Sequence, residues 1–266
     1  RKGVEARRTR AQARIERLSV LRSREARLVG VYSVPLAAPL LAHAPHGDGH
    51  PVLVIPGFTA SDRSTGVLRR FLTRLGYDAH TWDLGRNLGP RSIGVDARHL
   101  AARLDEIHDR TGRTISLVGW SLGGVMARQL SRAAPHAIRQ VITLGSPFTG
   151  NPLASPVAKL YERVTGNRIA TKRMQFDLAE SATPPPVPST AIYTRGDGVV
   201  PWENCVEPES PTTDNIEVHG SHCGLGINAA VLYAIADRLA QPEGAWKPFD
   251  RTLLRSAIYP SSGHLH

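Results

Sequence analysis

Cysteine and methionine are scarce in this chain, with two of each in 266 residues. Two cysteines, Cys205 and Cys223, exclude a disulfide framework; they can form one bridge or remain as thiols. No histidine, cysteine or carboxylate spacing matches a metal site, so no metal or other cofactor is expected. No run of roughly eighteen apolar residues occurs, which excludes a membrane-spanning helix from the reading. The longest candidate, Leu28 to Ala44, is interrupted by Pro35 and Pro39. Nor does a basic tip lie directly before an apolar core of about 7–15 residues, so no intact secretory signal is read. That favours a cytoplasmic or peripheral-membrane location. Internal repeats are absent as well.

Acidic residues are outnumbered 23 to 33, and the net charge of +10 is unevenly spread. Residues 1–30 carry +7 and the rest of the chain only +3. The basic tract reads as an amphipathic helix, with Ala11, Ile15, Leu18, Leu21 and Leu28 near one face. The chain therefore divides into a basic arm and apolar segment, residues 1–45, and a nearly neutral domain, residues 46–266. Contact with an anionic membrane surface through residues 1–42 suits the arm; a helix docked on its own domain or on a partner subunit is an equal alternative. A nucleic-acid role would rest on the arginine arm alone, since the remainder carries so little charge, and no nucleic-acid partner is expected.

With 41% hydrophobic and 21% charged residues, the main domain can build one core. Short apolar runs alternate with helical periodicity. Strands are expected at Pro51–Ile55, Asp78–Asp83, Thr114–Val118, Gln140–Leu144, Ser189–Tyr193 and Asn215–Val218. Helices are expected over about Asp62–Leu75, Ser92–Thr111, the residues after Gly124, and Leu225–Leu239. Such alternation implies an α/β fold, a mostly parallel sheet with helices on both faces. It lapses at residues 149–188, an insertion read as a small cap, in which Leu153, Val157, Leu160 and Tyr161 recur at helical spacing and are candidates to line a pocket.

The most informative stretch is Gly119-Trp120-Ser121-Leu122-Gly123-Gly124, lying between a strand and a helix. A tight strand-to-helix turn strains the serine backbone and demands small residues two positions away on each side. Gly119 and Gly123 meet that demand, which marks Ser121 as a candidate nucleophile. A serine hydroxyl needs a histidine to take its proton and an acid to orient the histidine. Asp197 follows the Ser189–Tyr193 strand in a glycine-flanked turn, and His222 follows the next strand just before a helix. His219 competes with His222, but stands close enough to the strand to be its last residue and face the sheet. The turn Ser146-Pro147-Phe148-Thr149 offers no carboxylate. Two backbone N–H donors for a developing oxyanion are assigned to Leu122, after the nucleophile, and Phe58, after the first strand.

Taken in order, Pro56-Gly57-Phe58, the Gly119–Gly124 stretch, Gly145-Ser146-Pro147, Asp197-Gly198-Val199-Val200-Pro201 and Ser221-His222-Cys223-Gly224-Leu225-Gly226 resemble the bacterial esterase/lipase branch of the α/β-hydrolases. The resemblance spans about residues 50–240. It implies the α/β-hydrolase fold, with nucleophile, acid and base on Ser121, Asp197 and His222. It further implies cleavage of small-molecule or lipid carboxylic esters, with apolar acyl groups, through an acyl-enzyme. Trp120 departs from the histidine that lipases often carry there. An acyltransferase sharing the acyl-enzyme, and a non-enzymatic binding protein on the same fold, are the alternatives. The oligomeric state is left open.

Overall fold

The computed structural model describes residues 37–149, 182–251, 255–256 and 258–260. The basic arm up to residue 36 and most of the cap insertion lie outside these. The described chain begins with α1 (Ala37–Ala42), then β1 (Pro51–Ile55), α2 (Gly66–Arg74), β2 (Asp78–His80), a short α3 (Pro90–Ile93) and α4 (Arg98–Thr111). There follow β3 (Ile115–Trp120), α5 (Leu122–Ala133), β4 (Ile138–Leu144), β5 (Ser189–Tyr193), β6 (Thr213–Glu217) and α6 (Ala229–Leu239). The six strands form one sheet in the order β2-β1-β3-β4-β5-β6, with every neighbouring pair parallel. Sheet and helices together are the expected α/β-hydrolase fold.

Alternation along the buried strands sends side chains to two separate cores. Val52, Val54, Val118, Ile142, Ile192 and Ile216 pack beneath α2 and α6. Leu53, Ile55, Ile115, Leu117 and Val141 pack beneath α4 and α5, meeting Leu100, Leu104, Ile107 and Met126. The end of the apolar segment joins the first of these cores: Leu40 and Leu41 of α1 pack against it, and Ala44 is buried there.

Several elements are shorter than their periodicity predicts, each for a local reason. The helix expected from Asp62 starts at Gly66, because Asp62 turns its carboxylate to the backbone N–H groups of Trp82 and Asp83 beyond β2. The helix expected from Ser92 is broken at Gly94, Asp96 and Ala97, all with positive φ, and restarts at Arg98. The last helix begins at Ala229 instead of Leu225, where the Asn228 side chain accepts from the Ala230 N–H at 2.9 Å and caps it.

Two polar clusters are built into this frame. Arg128 of α5 and Glu207 are both fully buried and ion-paired. The Glu207 carboxylate also accepts from Ser189 Oγ, and the guanidinium donates to the Thr183 carbonyl and lies 3.8 Å from the Phe148 ring centroid. Burial lowers the Arg128 guanidinium to about 10 against the opposing Glu207 charge. The second cluster lies where β1 and β3 begin. There the buried His50 bonds Asp48 through Nδ1 at 2.5 Å and Ser116 Oγ through Nε2 at 2.9 Å. Arg113 and Arg139 both reach Asp48 Oδ2, and Tyr77 meets the His50 ring edge-on. Burial lowers the His50 pKa, partly offset by Asp48. Burial also raises that of Asp48, but bonds from His50 and Arg139 outweigh it and hold the carboxyl well below the usual range.

Removing one partner of the buried pair leaves an uncompensated charge, so Glu207→Ala should lose about 3–5 kcal/mol. The double variant Arg128→Met/Glu207→Leu, which fills the space with apolar groups, should lose much less; urea denaturation compares the two. His50 folds neutral, with its pKa below that of the unfolded chain. Its contribution is therefore complete above about pH 6.5 and is lost as pH falls through the folded value. The urea midpoint should drop on acidification below about pH 6.5, and drop less in His50→Gln, measured across the same pH series.

Candidate active site

At the C-terminal end of β3 a single residue reverses the chain. The strand ends at Trp120 and α5 begins at Leu122, leaving Ser121 alone between them at φ 53° and ψ −120°. A non-glycine residue held in such a region costs on the order of 1–3 kcal/mol and persists only where its surroundings dictate it. Here they do. A Cβ on Gly119 would collide with the Gly123 carbonyl, one on Gly123 with the Ile55 carbonyl, and one on Gly124 with Ser146 Oγ. The serine N–H donates to the Leu144 carbonyl of β4 at 2.8 Å, fixing the elbow to the sheet. Ser121 itself is half-buried, at the start of the α5 dipole.

The next strands bring the predicted acid and base together. Asp197 Oδ2 lies 2.6 Å from His222 Nδ1, and both side chains are nearly sealed, at 2% and 7% exposure. Asp197 Oδ1 accepts from the Val199 and Val200 N–H groups at 2.8 and 2.7 Å. A carboxylate at Nδ1 holds the imidazole proton there and leaves Nε2 as the accepting nitrogen. Thr194 Oγ1 donates to the Gly220 carbonyl at 3.2 Å, tying the loop after β5 to the loop after β6. His219 does not face the sheet, contrary to expectation: β6 ends two residues earlier at Glu217, and His219 is exposed. Asn228 accounts for its place, donating to the His219 carbonyl at 2.8 Å and drawing this loop toward α6.

Two residues matter here whose contacts the sequence did not show. Gly145, at φ 52°, lies against the acid–base pair; a Cβ there would stand 3.2 Å from His222 Nδ1 and 3.3 Å from Asp197 Oδ2. The carboxylate-free turn after β4 therefore gives room to the pair. Its neighbour Ser146 is fully buried beside Gly124. Trp120, the departure from lipase-like sequences, donates from its indole N–H to the His222 carbonyl at 3.2 Å. One residue thus ties the serine elbow to the histidine loop.

The loop after β1 closes over the elbow. Gly57 approaches so near that a Cβ would lie 3.4 Å from Ser121 Cβ. Phe58 follows directly in this loop, while Leu122 opens α5 directly behind the serine. Leu153, Val157, Leu160 and Tyr161 lie outside the described residues. Cys205 is buried and Cys223 exposed, and no disulfide joins them; burial pushes the Cys205 thiol up. Among the described residues no cluster of three His, Cys, Asp or Glu side chains could hold a metal ion. No helix among them is long and apolar enough to cross a membrane.

Comparison with known proteins adds relatives at a distance. An uncharacterized protein of Saccharomyces cerevisiae is 27% identical over 92 residues, which cover 34% of this chain and 14% of the yeast protein. Among solved structures, Aspergillus fumigatus lipase B is similar with a TM-score of 0.58 at 18% identity, over 81% of this chain and 60% of that one. A Paleococcus ferrophilus monoacylglycerol lipase gives 0.53 at 16% identity, over 73% of this chain and 96% of that one. At such identities the structures speak for the fold, and the chain spans only part of the length of the yeast protein and of lipase B. The family model is broader in reach: residues 52–266 match that of the alpha/beta hydrolase family. With that match lying over a parallel sheet flanked by helices and a serine elbow at the end of its third strand, this chain belongs to the alpha/beta hydrolase family.

Proposed function

We propose that this protein is a carboxylic ester hydrolase of the esterase/lipase type, with Ser121 as nucleophile, His222 as base and Asp197 as the acid that orients it. The observation that carries the reading is the 2.6 Å Asp197–His222 contact at the same sheet edge as a strained, half-buried serine. In this mechanism Ser121 Oγ attacks the ester carbonyl and gives its proton to His222 Nε2. Asp197 stabilises the imidazolium that forms. The N–H groups of Phe58 and Leu122 receive the oxyanion. His222 then protonates the leaving alcohol, and water repeats the sequence on the acyl-enzyme. Leu153, Val157, Leu160 and Tyr161 line the acyl pocket in this reading. The basic N-terminal residues make peripheral contact with an anionic lipid surface, outside the core-packed helix α1.

A fluorophosphonate should label the protein once, at Ser121. Ser121→Ala should lose the label and lower kcat on p-nitrophenyl esters by roughly 10⁴–10⁶-fold. His222→Ala should be comparably damaging, because groups acting as a unit are not additive, whereas His219→Ala should stay near the unsubstituted protein. Labelling that survives Ser121→Ala refutes the reading. A series from acetate to palmitate identifies the acyl length.

Trp120→Phe keeps most of the ring and removes the donor to the His222 carbonyl. A neutral hydrogen bond is worth about 0.5–1.5 kcal/mol, so labelling of Ser121 should slow by roughly 2- to 12-fold. Stopped-time labelling at fixed probe concentration measures this directly.

A further inference from the structure

We propose that Asn87 is a positioning residue that holds the oxyanion loop in register with Ser121; this rests on the ester-hydrolase reading above. Asn87 lies in the loop after β2, is fully buried, and uses all four of its polar groups. Its side-chain Nδ2 donates to the Pro56 carbonyl at 2.7 Å and approaches Met126 Sδ of α5 at 3.6 Å. Its carbonyl accepts from the Thr59 N–H at 2.7 Å, and its own N–H donates to the Ala60 carbonyl at 2.8 Å. Its Oδ1 accepts from the Gly89 N–H at 3.0 Å, which fixes the amide orientation.

These bonds act on the peptide planes around the Phe58 N–H. In a trans peptide the carbonyl and the N–H point in opposite directions, so fixing one aims the other. The Asn87 amide fixes the Pro56–Gly57 plane by holding its carbonyl. The Asn87 carbonyl fixes the Phe58–Thr59 plane. Between them the Gly57 carbonyl accepts from the Ala60 N–H at 3.1 Å, which aims the Phe58 N–H the opposite way. Ala60 is in turn held by Asn87. The loop also carries strain, since Thr59 stands at φ 63°, a region a β-branched residue rarely adopts. Strain of that kind persists only under restraint, and the bonds from Asn87 on both sides of Thr59 supply it.

The role predicts a particular kinetic pattern. Asn87→Asp replaces the donor to Pro56 with an acceptor of the same shape, and Asn87→Ser shortens it out of reach. The experiment measures kcat and KM on a p-nitrophenyl ester, and the inhibition constant of a trifluoromethyl ketone, whose adduct carries the oxyanion. Rates are expressed per fluorophosphonate-titrated site, so a partly folded preparation reports on its folded fraction alone. Removing one oxyanion donor outright costs about 10²–10³-fold, so misaiming it should lower kcat by roughly 10- to 100-fold. KM should change little, and the ketone should weaken in proportion to the loss in kcat/KM.

Unchanged kcat per titrated site, a loss confined to KM, or a kcat loss that leaves the ketone affinity intact would each overturn the proposal. Insoluble protein from both variants would overturn it too, making Asn87 a folding determinant. If the unsubstituted protein neither hydrolyses esters nor takes the label, the ester-hydrolase reading itself falls and this proposal with it. That outcome is separable from a failure seen in the variants alone.

Discussion

Everything at the C-terminal edge of the sheet depends on how closely α5 approaches β1 and β3. The helix starts one residue after its strand ends, so Ser121 must turn the chain alone and Gly123 must pass directly over the Ile55 and Pro56 carbonyls. Any side chain at Gly119, Gly123 or Gly124 would force the helix outward. The serine would then relax to an ordinary backbone conformation and leave the edge where Asp197 and His222 stand. The strain at Ser121 is thus sustained by packing at three glycines and by the sheet bond to Leu144. This is the arrangement in which a fold stores local cost at a site and recovers it in the surrounding core.

Around this elbow the loops are fastened by side-chain bonds to backbone carbonyls. Trp120 reaches the His222 carbonyl, Thr194 the Gly220 carbonyl, and Asn228 the His219 carbonyl. The first two are side chains from one strand end gripping the backbone of another loop, and the third is a helix cap gripping the start of its own connection. Loops carry the chemistry in α/β folds because the scaffold beneath them is rigid. In this protein the rigidity continues upward into the loops themselves. The buried Arg128–Glu207 pair does the same on the far side of α5, joining the helix behind the serine to the segments bearing Phe148, Thr183 and Ser189.

Strand positions were legible from short strand-like runs; the continuously apolar Pro51–Ile55 and the run Ser189–Tyr193, which opens on Ser-Thr, match residue for residue. That Ser121, Asp197 and His222 each follow a strand was legible because a parallel sheet assigns those strand ends to one edge. Helix starts were less legible. Periodicity marks the apolar face of a helix but cannot register that Asp62 has turned its carboxylate to Trp82 and Asp83. The contacts of Trp120, Gly145 and Asn87 were illegible for a different reason. Each depends on a residue distant in sequence, and an asparagine in a glycine-rich turn looks the same whether it faces solvent or fastens an active-site loop. His219 was misread on local grounds, since the end of β6 depends on pairing with β5 and not on the residues of β6 alone.

One serine stands near the start of strand β3 and another directly after its end, and a bonded His–Asp pair lies toward each end of the sheet. At the beginning of the strand Ser116 meets His50, which meets Asp48, with Ser116 and His50 shut away from water. Ser121 follows its end, roughly 16 Å away at the rise of an extended strand. The same residue types therefore occur twice in one molecule, once inside an ordinary strand and once on a strained turn at a helix N-terminus. The buried set provides an internal reference state. On the proposed triad, what separates the two hydroxyls is not the residue types around them. It is access, backbone strain and position at a helix N-terminus, which differ between the two serines within a single chain.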